Sequence, residues 1–261
     1  MNLGAFFDLD GTLLALPSVE RRFLRYLRWR GKLTAAHGAL WLRTFITRAG
    51  RGWLAATHGN KAHFTGIAAD SVEEFLGTSG GQIALFSEAL ARMNWHAAQG
   101  HWVFLVSGTL QPLAEAVCRR LPLAVTPCAT QLEVLDGHWS GQVLGEAVCG
   151  MAKARALGRL AAEHNLALRR SFAYGDSWAD RGMLETVGNA VAVNPSPLLE
   201  RLARQRGWPV LRWAESRTPQ QRQTHAEEGK PAARETLIAR RRSAQKDAAA
   251  CEPRGVAGRS L

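Results

Sequence analysis

The sequence is poor in cysteine. Cys118, Cys128, Cys149 and Cys251 form no Cys-x-x-Cys pair and have no histidine at zinc-binding spacing, which argues against a disulfide framework or a zinc module and leaves them as packing or incidental thiols suited to a reducing cytoplasm. No basic segment, apolar run and cleavage site follow one another at the start, so no secretory signal is expected. Long apolar runs are also missing. The stretch over residues 35–46 contains His37 and Arg43 and falls short of the roughly 20 residues that a membrane span needs, so no transmembrane segment is expected. His37, His58, His63 and His101 lack ligand spacing and receive no role. Acidic residues are outnumbered, 22 against 33 lysines and arginines, and the resulting +11 charge favours anionic partners as a class: phosphorylated metabolites, nucleic acid or an anionic lipid surface.

What is present is a recurring pattern of short apolar runs that end on polar residues. Residues 4–8 lead to Asp8 and the turn-forming Gly11-Thr12; residues 101–106 lead to Ser107-Gly108-Thr109; residues 171–174 lead to Gly175-Asp176. Each reads as a buried strand that delivers polar groups at its carboxyl end. Further strands are expected at 123–126, 189–193 and 208–213, and a hairpin at 132–136 and 138–143 around Gly137. Strands alternating with helical patterns predict an α/β fold, a doubly wound and mostly parallel sheet whose ligands bind beyond the carboxyl ends of the strands.

The spacing predicts a catalytic core over 1–15 and 99–214, a helical cap over 16–98 and a mobile basic tail over 215–261 that includes Arg240-Arg241-Arg242. Within the cap, Ser18 should begin a helix with Val19, Phe23, Tyr26 and Leu27 on one face and Arg21, Arg25 and Arg28 on another. Ser71 and Glu74 have capping-box spacing, and Gly100 suits the end of a helix that starts near Ser87. The arginine face reads as solvated, with substrate recognition as the alternative; Trp29, Trp41 and Trp53 read as cap core rather than a membrane anchor. The Arg240–Arg242 run lacks interleaved aromatics, so no specific nucleic-acid binding is expected. No feature sets an oligomeric state.

Asp8 and Asp10, two apart at an extended strand end, place both carboxylates on one side. Two such groups ionise together cheaply only beside a cation, and Mg2+, a hard ion that prefers oxygen ligands, answers that need. Asp176 is a natural third oxygen donor. Ser107 with the backbone N–H groups of Gly108 and Thr109 is able to cradle phosphate oxygens, and Lys153 supplies fixed positive charge.

Taken in order, Asp8-Leu9-Asp10-Gly11-Thr12-Leu13, Ser107-Gly108-Thr109, Lys153 and Gly175-Asp176-Ser177-Trp178-Ala179-Asp180 resemble the four motifs of the haloacid dehalogenase superfamily. The helical insertion after the first motif resembles its phosphoserine-phosphatase-like branch, subfamily IB. The resemblance implies an aspartyl-phosphate mechanism in which Asp8 attacks phosphorus and Asp10 is acid and then base. It also implies Mg2+ held by Asp8, the Asp10 carbonyl and Asp176 with support from Asp180, and phosphoryl oxygens held by Ser107 and Lys153. Phosphoserine phosphatases usually carry an early cap glutamate and Gly-Asp-Gly-x-Asn-Asp as fourth motif. Here Pro17-Ser18 opens the cap and the fourth motif departs, so the resemblance does not extend to phosphoserine as substrate. The expected activity is hydrolysis of a small phosphate monoester. The rivals are a phosphomutase with the same intermediate and a non-catalytic protein that binds anionic surfaces or nucleic acid.

Overall fold

The structure, a computed structural model, describes residues 1–48, 50 and 56–214; the expected basic tail and Trp53 lie outside them. Six parallel strands form the main sheet: β1 (Gly4–Phe7), β2 (Trp102–Leu110), β3 (Thr126–Thr130), β6 (Phe172–Gly175), β7 (Asn189–Val193) and β8 (Val210–Leu211). Their order is β3-β2-β1-β6-β7-β8. The first strand is therefore central, with β2 and β6 on either side of it, and the strand order reverses there. In an open α/β sheet that reversal opens a crevice at the carboxyl edge. β4 (Leu132–Leu135) and β5 (His138–Val143) form the expected hairpin as a separate antiparallel pair.

Every residue of β1 is buried, as a parallel strand covered on both faces requires. Phe6 stacks on Phe104 at 5.1 Å on one face and Phe7 on Tyr174 at 4.4 Å on the other, so alternate side chains of one strand nucleate two apolar layers. The face below Phe6 is covered by α6 (Met151–His164), α7 (Arg181–Thr186) and α8 (Pro197–Arg206). The opposite face takes α4 (Ser87–Ala98), whose Ala89, Met93 and His96 are buried beside Phe7 and Tyr174, and α5 (Gln111–Arg119). The same cluster continues upward into the helices of the insertion.

That insertion contains α1 (Val19–Trp29), α2 (Ala35–Arg48) and α3 (Ser71–Leu76). Ser18 caps α1 by accepting the Arg21 N–H at 3.2 Å, and the buried residues are Val19, Phe23, Tyr26 and Leu27, as the 3.6-residue period demands. Phe23 packs among Phe64, Phe75 and the hairpin's Trp139 at ring distances of 5.4–6.1 Å. Three expectations need correction. Trp29 is 76% exposed and is no part of a cap core, because it falls on α1's outer stripe. Ser71 and Glu74 form no capping box: Asp70 precedes α3, and Lys32 draws both away, donating to the Ser71 hydroxyl and the Glu74 carboxylate at 3.0 Å. Finally, β2 runs through Ser107-Gly108-Thr109 instead of ending before them, with a register shift against β3 between Ser107 and Leu110.

Candidate active site

The three central strand ends converge as the sheet order dictates. Asp8 follows β1, anchored by its N–H to the Tyr174 carbonyl at 2.9 Å; Ser107 and Thr109 close β2; Asp176 follows β6. Lys153, in the first turn of α6, reaches between strands. Its ammonium donates to Asp8 Oδ1 at 2.5 Å and to Asp180 Oδ1 at 2.6 Å, and all three side chains are buried. The family resemblance gave Asp180 a supporting place at the metal, and as the residue before α7 it also stands where a helix cap would. Its side chain makes no capping bond to α7. Instead Oδ2 accepts from the N–H groups of Asp176 and Ser177 and from the Ser177 hydroxyl, at 2.9–3.2 Å, so the carboxylate folds back and fixes the loop that carries Asp176.

Two glycines make this closure possible. A Cβ on Gly175 would meet Asp180 Cβ at 2.5 Å, and one on Gly11, whose φ is +93°, would meet Asp176 Oδ2 at 2.3 Å. Neither contact is physically tolerable, and Gly11 also needs the left-handed region that side chains disfavour.

Asp10 Oδ1 accepts the Val19 N–H at 2.7 Å, so the second carboxylate is tied to the N-terminus of α1, where orphan donors and the helix dipole favour negative charge. Burial raises its pKa to about 6 despite that bond. Asp8 is pushed up to about 7 by burial and by the Asp180 charge, with Lys153 opposing. Burial and the charges of Asp8 and Asp180 push Asp176 up to about 9. Burial works against the charge on Lys153, but the Asp180 and Asp8 carboxylates outweigh it and raise its pKa.

Asp8, Asp176 and Asp180 each offer an oxygen within 4.8 Å of the others, and the one ammonium among them, that of Lys153, bonds Asp8 and Asp180. The donors are hard oxygens, the sign of the missing charge is positive, and the geometry fits a small divalent cation. Asp10's carboxylate stands outside this trio. Ser107 is buried and its hydroxyl accepts the Thr109 N–H at 3.2 Å. The hydroxyl of Thr109 is buried with no partner, which marks polar capacity held at the site.

A cavity of 530 Å3 opens over these groups and is walled by residues of the strand ends and of the helical insertion. All eight residues singled out from the sequence, Asp8, Asp10, Ser107, Gly108, Thr109, Lys153, Asp176 and Asp180, line it. A groove of 650 Å3 beside β3 is larger, yet among these eight none reaches it. The cavity's cap wall adds groups the sequence did not disclose. Buried Lys61 donates to both oxygens of Glu20 at 2.6 Å, and His58 and His63 stand nearby, with burial holding the His63 pKa down to about 4. Glu20 and Lys61 lie 41 positions apart without shared periodicity; the one local sign was an acid two residues after the Ser18 cap. Of the arginine face, Arg21 lines the cavity and Arg25 and Arg28 do not.

A parallel α/β sheet with a helical insertion, whose strand ends gather an aspartate pair, a buried lysine and a third acid, defines a phosphotransfer-type hydrolase fold. The chain belongs to the haloacid dehalogenase-like hydrolases, whose family pattern matches residues 5–185. It is 34% identical over 224 residues to the phosphoserine phosphatase SerB1 of Mycobacterium tuberculosis, covering 80% of this chain and 70% of that one. It is 29% identical over 217 residues to a histidinol-phosphatase of Neisseria meningitidis, covering 79% and 97%. Among solved structures, a Bordetella pertussis protein of unknown function shares 27% identity and superposes with a TM-score of 0.66, covering 80% of this chain and 98% of that one. The chain is accordingly an enzyme of the phosphatase-bearing part of this family. Among the described residues no helix is long and apolar enough to cross a membrane.

Proposed function

We propose that the chain is a Mg2+-dependent phosphatase that hydrolyses a small phosphate monoester through an aspartyl-phosphate on Asp8. The observation that carries this reading is the pairing of Asp8, held by Lys153 at 2.5 Å, with Asp10, held by the N-terminus of the cap's first helix at 2.7 Å. Both carboxylates line the cavity, one tied to a lysine of α6 and the other to the first helix of the insertion, which supports separate roles for them.

Asp8 attacks phosphorus, and the bond to the leaving oxygen breaks as Asp10 delivers its proton to that oxygen. A carboxyl group with a pKa of about 6 suits this task near neutral pH. Asp10 then takes a proton from the water that cleaves the aspartyl-phosphate and regenerates the Asp8 carboxylate. Ser107, the Gly108 and Thr109 backbone and the Lys153 ammonium hold the phosphoryl oxygens. Mg2+, when bound by Asp8, the Asp10 carbonyl and Asp176, supplies the charge that lets the carboxylates ionise side by side and offsets negative charge on the transferred group. Asp180 acts by holding Lys153 and the Asp176 loop.

The leaving group would face Glu20 and Lys61. SerB1 and the Neisseria enzyme are named for different substrates, phosphoserine and histidinol phosphate, so the shared fold does not choose between them; the cap wall does.

Asp8→Asn should reduce turnover of p-nitrophenyl phosphate to background while preserving the melting temperature, since the amide is nearly isosteric but a poor nucleophile. Asp10→Asn should cost a factor of about 10^2 to 10^4. Release of inorganic phosphate in step with the alcohol separates hydrolysis from a mutase, and retained activity in Asp8→Asn would remove Asp8 from the nucleophile's role.

A further inference from the structure

Residues 21–69 contain ten arginines and lysines and no aspartate or glutamate. Two of the ten, Lys32 and Lys61, are ion-paired with Glu74 and Glu20 just outside the stretch, and with the four acids of residues 20–74 set against the ten the segment still carries +6. On α1, Arg21, Arg25, Arg28 and Trp29 occur at i, i+4, i+7 and i+8, a single helical stripe, and all four are exposed. α2 carries no acid and no buried residue. Its Leu42 and Ile46, one turn apart, are 52% and 65% exposed.

Arginines alone are at ease in water, but exposed aliphatic side chains one turn apart on a helix without buried residues, together with a basic stripe that carries an exposed tryptophan, mark a surface suited to an interaction. Together they have the composition of a surface that lies on a membrane. Arginine meets anionic headgroups, tryptophan sits at their level, and aliphatic side chains enter the acyl boundary. A nucleic acid would use the charge but leave Leu42 and Ile46 without a role. The catalytic cavity opens next to the same face: Arg21 from the stripe, Trp41 from α2 and the 66% exposed Leu16 all line it.

We propose that the outer face of the cap, formed by the basic stripe of α1 and the aliphatic residues of α2, docks on an anionic phospholipid bilayer and brings the cavity mouth to the headgroup plane. This rests on the cap surface and not on the catalytic reading, and the two are tested separately.

The test is flotation of the full chain with vesicles of phosphatidylcholine alone or with about 30 mol% phosphatidylglycerol. The bound fraction should be about tenfold higher with the anionic lipid and should collapse as salt is raised to about 0.5 M. Leu42→Glu with Ile46→Glu, and Arg25→Glu with Arg28→Glu, should each lower binding by about tenfold. Neither pair lines the cavity, so turnover of p-nitrophenyl phosphate and the melting temperature should stay at the parent values, which shows that both variants fold. Equal binding to neutral and anionic vesicles, or unchanged binding by both cap variants, would overturn the proposal. So would vesicle binding lost only on removal of residues 218–261. A chain that self-associates through Leu42 and Ile46 without binding vesicles, or binds single-stranded RNA in preference to them, would overturn it as well.

Discussion

Asp176 shows how strongly single residues in this site depend on a counter-charge. Burial first, and then the charges of Asp8 and Asp180, hold its pKa at about 9, and burial with the Asp180 charge holds that of Asp8 at about 7, against an ordinary value of 3.8. The folded, metal-free protein therefore keeps protons that the unfolded chain has already released. Stability from these groups is fully present below about pH 4 and is lost as pH rises, first through 7 and then through 9. Mg2+ should relieve this repulsion, so its stabilising effect should be larger near pH 8.5 than near pH 5.5, where protons compete for the same oxygens. At a hundredfold excess over Kd the gain approaches about 2.7 kcal/mol, readable as a rise in Tm. An equal gain at both pH values, or none, would contradict the metal assignment. Asp8 and Asp176 were legible in the sequence because each follows an apolar strand at a turn, and Asp180 through its place in the fourth motif of the family the chain resembles. Glu20 and Lys61 were not: an ion pair between an early helix and a loop 41 residues later leaves no periodic trace.

At the scale of elements, the loop after β6 is held by a contact that tolerates no extra atom. Asp180 closes back over Gly175, and Gly175→Ala would press a methyl group to 2.5 Å from Asp180 Cβ. Either the loop shifts, which moves Asp176 and releases one partner of Lys153, or the strand end does. The expected cost is about 1–3 kcal/mol in stability, with a loss of turnover out of proportion to it. Measuring kcat beside Tm checks this, and parent-like kcat would show that the closure is not needed for the chemistry. Strands were readable as short apolar runs that end on polar turn residues, because a strand covered on both faces is apolar throughout, and the α1 face from its 3.6-residue period. The extension of β2 through Ser107-Gly108-Thr109 was not, since its pairing depends on β3, which runs over Thr126–Thr130 and shares only Thr126 with the expected 123–126 run. The capping pattern at Ser71 failed for a related reason: Lys32, 39 residues away, outcompetes a local bond.

Across the whole molecule, the sheet is completed late in the chain and determines how much of it the enzyme needs. β8 pairs with β7 through Val210 and Leu211. Trp213 then stacks on Tyr174 at 6.4 Å and its N–H donates to Asn194 Oδ1 at 2.9 Å. Tyr174 in turn packs on Phe7, the residue before Asp8. An edge strand and an aromatic lid on the central strand are thus supplied by residues 210–213, beyond the stretch that matches the family, which stops at residue 185. All the residues assigned to chemistry precede residue 214. Deleting residues 218–261 should therefore leave kcat/KM for an aryl phosphate within about twofold and Tm nearly unchanged, the size of effect expected away from packed features. Deleting from residue 208 instead removes β8 and Trp213 and should cost about 1–3 kcal/mol, seen as a lower Tm in a protein whose motif residues are all intact. A large loss of kcat/KM on the shorter deletion would assign the C-terminal segment a part in catalysis that its position after the last strand does not suggest.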